Sequence, residues 1–240
     1  PPGSTHCISS AASDVYKRQN GLRTACQAIT SVLTPEQAAF HFLDLRRDLV
    51  GVVDPAYVKS FAVSAPDARA AMIDLVARLQ LRKPPKGMDP VEAAMGRHWS
   101  GPEHFVVVDN VELFPHQNAG EFPFGPVSFE PGADSLAALA TQGAQLGLHF
   151  LVSSQLDTWF PSMQMQNVLL RNLKNMFSPT VVLNGDPSLP AIAGQGVRPQ
   201  LQRPGKGLWA EATTNAPNVL FAWTDPPNLD DLKTGATGPQ

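Results

Sequence analysis

A buried strand that ends in a carboxylate is the first feature of this sequence that could do chemistry. Residues 104–108 are apolar at nearly every position, and Asp109 follows them directly. Such a run is typical of a strand buried on both faces of a parallel sheet. Ligands of open α/β sheets bind in the crevice at the carboxyl ends of the strands, where Asp109 would lie. Because hard cations take oxygen ligands, Asp109 could hold Mg²⁺ there, directly or through a water.

Further polar positions could serve the same crevice. Asn110 stands where hydrolytic enzymes with this strand pattern carry an acid that polarises the attacking water, and an amide cannot accept a proton in that way. Hydrolysis is therefore disfavoured. Residues 153–155 follow another apolar run and are either the ordinary polar end of a strand or a sensor of a γ-phosphate. For Glu112, which the strand-to-turn geometry directs elsewhere, we expect a surface role.

Several other kinds of site lack the residues they need. A phosphate-binding loop requires the pattern G-x-x-x-x-G-K-[ST], which the sequence does not contain. The nearest stretch, residues 202–207, has Gly207 in place of the hydroxyl residue and is interpreted as a turn. The six histidines and two cysteines show no zinc spacing, and no G-x-S-x-G elbow supports a serine hydrolase. His149 lies within an apolar run and is interpreted as a core histidine rather than a ligand or base.

The composition describes a folded chain without an excess of basic charge. Of 240 residues, 43% are hydrophobic and 16% are charged, with 18 Lys and Arg against 21 Asp and Glu. This balance argues against nucleic-acid binding, which scales with the number of basic contacts. No apolar run reaches the roughly 18 residues that span a bilayer. The two cysteines, Cys7 and Cys26, are too few for a disulfide framework and fit a reducing compartment.

Helices alternate with short apolar strands along the chain. The apolar spacing predicts helices over residues 20–33, 64–81, 134–147 and 162–176, and strands over residues 40–45, 104–109, 148–153 and 180–183. Residues 208–212 and 219–223 are predicted to pair as a C-terminal hairpin. The alternation indicates a mainly parallel sheet covered by helices on both faces, so the predicted class is α/β.

The two ends of the chain stand apart from this pattern. Residues 1–19 show neither helical nor strand periodicity, and their ending SDVYKRQ resembles sequence carried in from an adapter or an assembly join. We therefore interpret residues 1–19 as a non-native or disordered leader. Residues 20–224 form the predicted domain, and residues 225–240 form a flexible tail. Within the domain, residues 115–131 have the turn-rich composition of a long surface loop.

Four stretches of the sequence together resemble a known family. They are residues 34–47, residues 104–109, residues 146–150 and residues 185–207, the last with G-V-R-P followed by P-G-K-G. In order and spacing they resemble the FtsK/SpoIIIE-type ATPase domains of EccC, the motor of type VII (ESX) secretion. The C-terminal ATPase domain is the most similar, and the resemblance covers residues 20–224.

The resemblance implies a RecA-like P-loop NTPase fold in three layers, with ATP and Mg²⁺ as cofactors. It identifies Asp109 as the Walker B aspartate and Mg²⁺ ligand, Gln155 as the sensor and Arg198 as a nucleotide-binding residue. Asn110 replaces the usual catalytic acid. In the family a strand and a glycine loop precede the helix that here starts near Gly21, so the resemblance implies an N-terminal truncation that removed the P-loop strand. That strand is central, and its loss should leave its two neighbours unpaired.

The same resemblance implies a function in protein export. The expected role is that of a secretion-motor module at the cytoplasmic face of the cell membrane, which binds ATP in its parent and recognises WXG100-type substrates. Other ATPase modules of the motor, in a hexamer, are the expected partners, and we expect the chain by itself to be inactive. The alternatives are an FtsK-type DNA translocase and a non-catalytic scaffold. Residues 110–134 contain no lysine or arginine, which argues against a DNA motor.

Overall fold

The computed structural model describes residues 10–85, 87–89, 91–92, 97–114, 122–125, 135–155, 167–176, 178–189, 197–203, 205–210 and 216–227. Its helices are α1 (Ser10–Thr30), α2 (Ala65–Gln80), α3 (Leu136–Leu139), α4 (Gly143–Leu146) and α5 (Val168–Asn175). Its strands are β1 (Ala38–Leu43), β2 (Val58–Ala62), β3 (Glu103–Val108), β4 (Leu148–Val152), β5 (Thr180–Val182), β6 (Lys206–Ala210) and β7 (Asn218–Leu220). Among the helices described, none has the length and apolarity that crossing a membrane requires.

Four parallel strands form the main sheet, in the order β2-β1-β3-β4. Successive residues of β3 serve opposite faces of this sheet. Phe105 and Val107 belong to a core that includes Leu22 of α1, whereas Val106 and Val108 belong to a core shared with α2, α3 and α5. Helices therefore cover both faces, which confirms the predicted three-layer α/β class.

Three antiparallel strands form a separate sheet, in the order β5-β6-β7. The pairing of β6 with β7 confirms the predicted C-terminal hairpin. Within the described ranges, no strand joins β4 to β5, where the resemblance implies a phosphate-loop strand. Four of the five residues of β4 are only half-buried, whereas five of the six residues of β3 are buried.

Helix ends follow the residues that predicted them. The Ser64 hydroxyl accepts a hydrogen bond from the backbone N–H of Asp67 at 3.2 Å and donates to its carboxylate at 2.6 Å, which starts α2. Gly147 ends α4 in the left-handed conformation, with φ of 63°. The predicted helix over residues 134–147 is not continuous, because a 3₁₀ turn at Ala140–Gln142 separates α3 from α4.

Three predictions need correction. Helix α1 begins at Ser10 rather than at residue 20. Residues 10–19 contain no proline or glycine, so they extend the helix although they form no apolar stripe. Strand β2 was not predicted, since its polar residues hide the apolar pattern at the edge of the sheet. The expected surface loop 115–131 lies largely outside the described residues, but within it Phe122 and Phe124 are buried. Residues 162–166 of the last predicted helix are also outside the described part.

Candidate functional site

The carboxyl ends of β1, β3 and β4 meet at one edge of the main sheet. Leu43 and Val108, the last residues of β1 and β3, are register partners, and Val108 is also the partner of Val152 at the end of β4. Asp109 follows β3 directly and is only 2% exposed. The structure therefore places Asp109 at the edge where ligands of parallel sheets bind.

Ser153 fixes the orientation of the Asp109 carboxylate. Its hydroxyl donates to Asp109 Oδ1 at 2.7 Å and accepts a hydrogen bond from the backbone N–H of Asn110 at 2.9 Å. The backbone of Asn110 turns sharply here, with φ of 53°, a region that asparagine tolerates better than most residues. Ser153 was predicted as part of either a polar strand end or a γ-phosphate sensor, and the structure shows that it orients the carboxylate.

Several polar atoms of this site are buried without a protein partner. Asp109 Oδ2 and both polar side-chain atoms of Asn110 have no hydrogen-bond partner among the residues described. Asn110 is 1% exposed. Buried polar groups are nearly always satisfied, so such atoms indicate a place for a water, an ion or a ligand. These atoms mark the carboxyl edge of β3 as the candidate functional site.

Two further carboxylates join Asp109, and the sequence analysis did not single them out as site residues. Asp44, Asp48 and Asp109 each place an oxygen within 4.8 Å of the other two. Asp44 is fully buried, and its carboxylate accepts hydrogen bonds from the backbone N–H groups of Arg46 at 3.1 Å and Leu49 at 2.7 Å. The available signal was that Asp44, like Asp109, directly follows an apolar strand.

The electrostatics of this cluster reflect burial and mutual repulsion. Burial raises the pKa of Asp44, hydrogen bonding from Leu49 opposes the rise, and the charge of Asp109 adds to it. Burial likewise raises the pKa of Asp48, with Asp109 adding to the effect. For Arg23, burial lowers the pKa of the guanidinium, and the negative charges of Asp48 and Asp109 work against that change. Burial and mutual repulsion therefore both act against the charged forms of Asp44 and Asp48, and Arg23 opposes this at Asp48.

The residues at this edge of the sheet fit a divalent metal ion but do not fit the triphosphate of a nucleoside triphosphate. Carboxylate oxygens are the ligands that Mg²⁺ prefers, and the buried, unpartnered Asp109 Oδ2 offers one. Phosphates need a glycine loop and a lysine, and the sequence contains no such loop. The look-alike at residues 202–207 is a turn that leads into β6, with the Lys206 N–H bonded to the Arg203 carbonyl at 3.1 Å.

The other predicted site residues do not converge as closely. Gln155 lies on the same rim and is exposed, and its backbone N–H donates to the Glu112 carboxylate. Glu112 is half-buried and fastens the segment after β4, so the expected surface role needs correction. Arg198 is exposed beside the second sheet, where Gln200 accepts a hydrogen bond from the Gly185 N–H at 3.2 Å. In the described part of the chain, the structure shows no contact between Arg198 and Asp109.

His149 is not part of the site. His149 lies near the opposite, amino end of the strands. Its Nε2 lies 2.8 Å from Glu103 Oε2, and its ring stacks on Phe105. His149 is half-buried and paired with Glu103, so the prediction of a core histidine was wrong about its burial.

Comparison with known proteins finds similarity to EccC proteins of ESX secretion systems. No family model matches the chain. The ESX secretion system protein EccC of Thermomonospora curvata is 26% identical over 208 residues, which are 87% of this chain and 15% of that protein. The ESX-5 protein EccC5 of Mycobacterium marinum is 31% identical over 187 residues, 75% of this chain and 12% of that protein.

Solved structures agree with the sequence relatives. The cytoplasmic domain of the T. curvata type VII secretion ATPase EccC superposes with a TM-score of 0.72 at 24% identity, covering 87% of this chain and 22% of that one. Its ATPases 2 and 3, in complex with a signal sequence peptide, superpose with a TM-score of 0.71 at 24% identity, covering 86% of this chain and 35% of that one.

The parallel sheet with helices on both faces is the α/β fold of the cytoplasmic ATPase domain of T. curvata EccC. Over most of its length the chain is a relative of the EccC proteins of type VII (ESX) secretion, as its motifs predicted. It spans no more than about 15% of the length of these two relatives.

Proposed function

We propose that this chain is a module of a type VII secretion motor and recognises exported proteins by a peptide signal. The match to EccC over 87% of the chain carries this proposal. The structure of T. curvata EccC with a signal sequence peptide supports the binding of such a signal here. The proposed substrates are WXG100-type proteins. The proposed partners are the other ATPase modules of the motor, in a hexamer at the cytoplasmic face of the membrane.

The role that we propose for ATP differs between the parent protein and this chain. In the parent, Asp109 would hold Mg²⁺, with Gln155 and Arg198 proposed to contact the nucleotide. This chain contains no phosphate loop, and the described part of its sheet is interrupted between β4 and β5. Asn110 also cannot act as a base toward water. We therefore infer that the chain by itself neither binds ATP tightly nor hydrolyses it.

Peptide binding tests the proposed function directly. The signal sequence peptide bound to T. curvata EccC, carrying a fluorescent label, is titrated with this chain and followed by anisotropy. We expect saturable binding at micromolar protein, because recognition of the signal depends on surface contacts rather than on the phosphate loop. A peptide with the same composition in scrambled order should not bind.

The same titration separates the alternatives. Absence of saturable binding by a protein that circular dichroism shows to be folded would contradict the proposal and favour a scaffold, for which the missing phosphate loop is the supporting observation. Binding to DNA that weakens steeply with salt would instead favour the translocase.

A further inference from the structure

The three carboxylates at the edge of the main sheet have the geometry of a cation site. Their closest oxygens lie within 4.8 Å of one another. Two ligands on opposite sides of one Ca²⁺ ion are about 5 Å apart, because each lies about 2.5 Å from the ion. The three carboxylates are therefore close to the spacing of ligands around one Ca²⁺ ion, and a small inward movement of the side chains would suit the smaller Mg²⁺ or Mn²⁺. The proposed contact of Asp109 with the metal of a bound nucleotide does not involve Asp44 or Asp48.

Unsatisfied atoms point independently to a ligand at this place. Asp109 is 2% exposed, and Ser153 occupies only Oδ1, so that Oδ2 is buried without a partner among the described residues. An ionised oxygen in that state is costly unless a cation or a water binds it. The adjacent amide of Asn110 is also buried without a partner.

The charges at the site leave a negative excess. Arg23 is the buried cation whose charge acts on Asp48 and Asp109, but it acts on Asp225 as well. Arg46 acts on Asp48 from an exposed position, where solvent screens it. One buried guanidinium cannot neutralise three carboxylates, and a divalent cation would restore the balance.

The local backbone already holds two of these carboxylates in place. Hydrogen bonds from the N–H groups of Arg46 and Leu49 orient Asp44. Arg47 adopts φ of 65°, which tightens the turn that returns Asp48 toward Asp44. The side-chain amide of Gln19 donates to Asp48. The cluster therefore needs little rearrangement to bind an ion.

We propose that Asp44, Asp48 and Asp109 form a site for a hard divalent cation, Mg²⁺, Ca²⁺ or Mn²⁺, that binds without nucleotide. The inference rests on the proposed role of Asp109 as a metal ligand, but it requires neither ATP nor an exported peptide. The donor set contains only oxygen, which disfavours zinc.

Mn²⁺ binding without nucleotide tests this site. Free Mn²⁺ is measured by electron paramagnetic resonance during titration of the metal-free chain, and we expect one site per chain. The variant Asp48→Asn keeps the hydrogen bond from Gln19 but removes a charge, so its Mn²⁺ affinity should fall about 10–100-fold. Asp54→Asn is the matched control, because Asp54 is exposed and only caps a 3₁₀ turn; its affinity should equal that of the parent chain.

Thermal unfolding supplies a second readout. In metal-free buffer Asp48→Asn should melt at a higher temperature than the parent chain, because it relieves the repulsion among the carboxylates. Added Mn²⁺ should stabilise the parent chain and Asp54→Asn much more than Asp48→Asn. Absence of Mn²⁺ binding at millimolar concentration, or equal affinity of Asp48→Asn and the parent, would overturn the proposal. Peptide binding without Mn²⁺ binding would overturn only this inference. Mn²⁺ binding without peptide binding would overturn only the proposed function.

Discussion

Acidification from pH 7 to pH 5 is expected to reduce the free energy of unfolding by roughly 2 kcal/mol for each of two buried histidines. His41 and His104 are 3% and 6% exposed and share a hydrogen bond of 3.0 Å between His41 Nε2 and His104 Nδ1. His41 Nδ1 lies 2.9 Å from the Ser60 hydroxyl. The three residues form a polar row across β2, β1 and β3 on the face covered by α2.

The sign of this effect follows from the direction of the pKa changes. Burial lowers the pKa of His41 to about 4, with the charge of Arg78 adding to the change and that of Asp74 opposing it. Burial, together with the charge of His41, lowers the pKa of His104 to about 3. In the unfolded chain both titrate near 6.5, so between about 6.5 and 4 the unfolded state binds more protons. The stability present above pH 6.5 is lost as the pH falls through that range.

Urea unfolding at pH 7 and pH 5 measures this loss. The double variant His41→Val, His104→Val should show a much smaller change between the two pH values, since it removes both buried titrating groups. His98→Gln is the control for replacing a histidine at an exposed position. Equal pH dependence in the parent and the double variant would show that other groups cause the acid sensitivity.

Gly147→Ala is expected to lower the free energy of unfolding by roughly 3 kcal/mol, through backbone strain and overpacking together. The residue has φ of 63°, and an added Cβ would lie 2.2 Å from Cη2 of Trp99. Trp99 cannot move freely, because its indole N–H donates to the Gln145 carbonyl at 2.8 Å and the guanidinium carbons of Arg82 and Arg97 lie 3.8 and 3.4 Å from its ring centroid.

Two variants separate the backbone and packing contributions of Gly147. Gly87 also has a positive φ, of 89°, but an added Cβ there meets nothing within 4 Å, so Gly87→Ala should cost only the backbone part, about 1 kcal/mol. In a Trp99→Ala background, Gly147→Ala should cost little more, because the remaining close atom, Glu103 Oε2 at 2.9 Å, is the end of a flexible side chain. Chemical denaturation of the parent chain, Gly147→Ala, Trp99→Ala and the double variant completes this double-mutant cycle. A cost of Gly147→Ala that does not depend on Trp99 would contradict the packing argument.

Local pattern was sufficient to predict the elements whose sequences carry strong signals. The apolar run before Asp109 predicted the central strand, and Ser64 and Gly147 predicted helix ends that the structure confirms. The edge strand β2 was not predicted because its adjacent polar residues, Lys59 and Ser60, interrupt the apolar run. The beginning of α1 escaped prediction because helix propensity without an amphipathic stripe gives no periodic signal.

The candidate site was predictable only in part, because most of it depends on strand register. Asp109 follows a recognisable strand, but its proximity to Asp44 depends on the parallel pairing of Leu43 with Val108. The return of Asp48 depends on the positive φ of Arg47. Neither fact can be deduced from the spacing of charged residues. The pairing of His41 with His104 arises from the same register and was likewise not anticipated.

We propose that Asp109 lies at the rim of an ATPase-type crevice whose phosphate-binding half this chain does not supply. Isothermal titration with ATP and Mg²⁺ measures this, with the chain as it stands and with the strand and phosphate-loop segment of T. curvata EccC joined in front of Gly21. We expect no micromolar binding by the chain alone and micromolar binding after the addition, abolished by Asp109→Ala. Micromolar ATP affinity of the unaltered chain would show that the proposal is wrong.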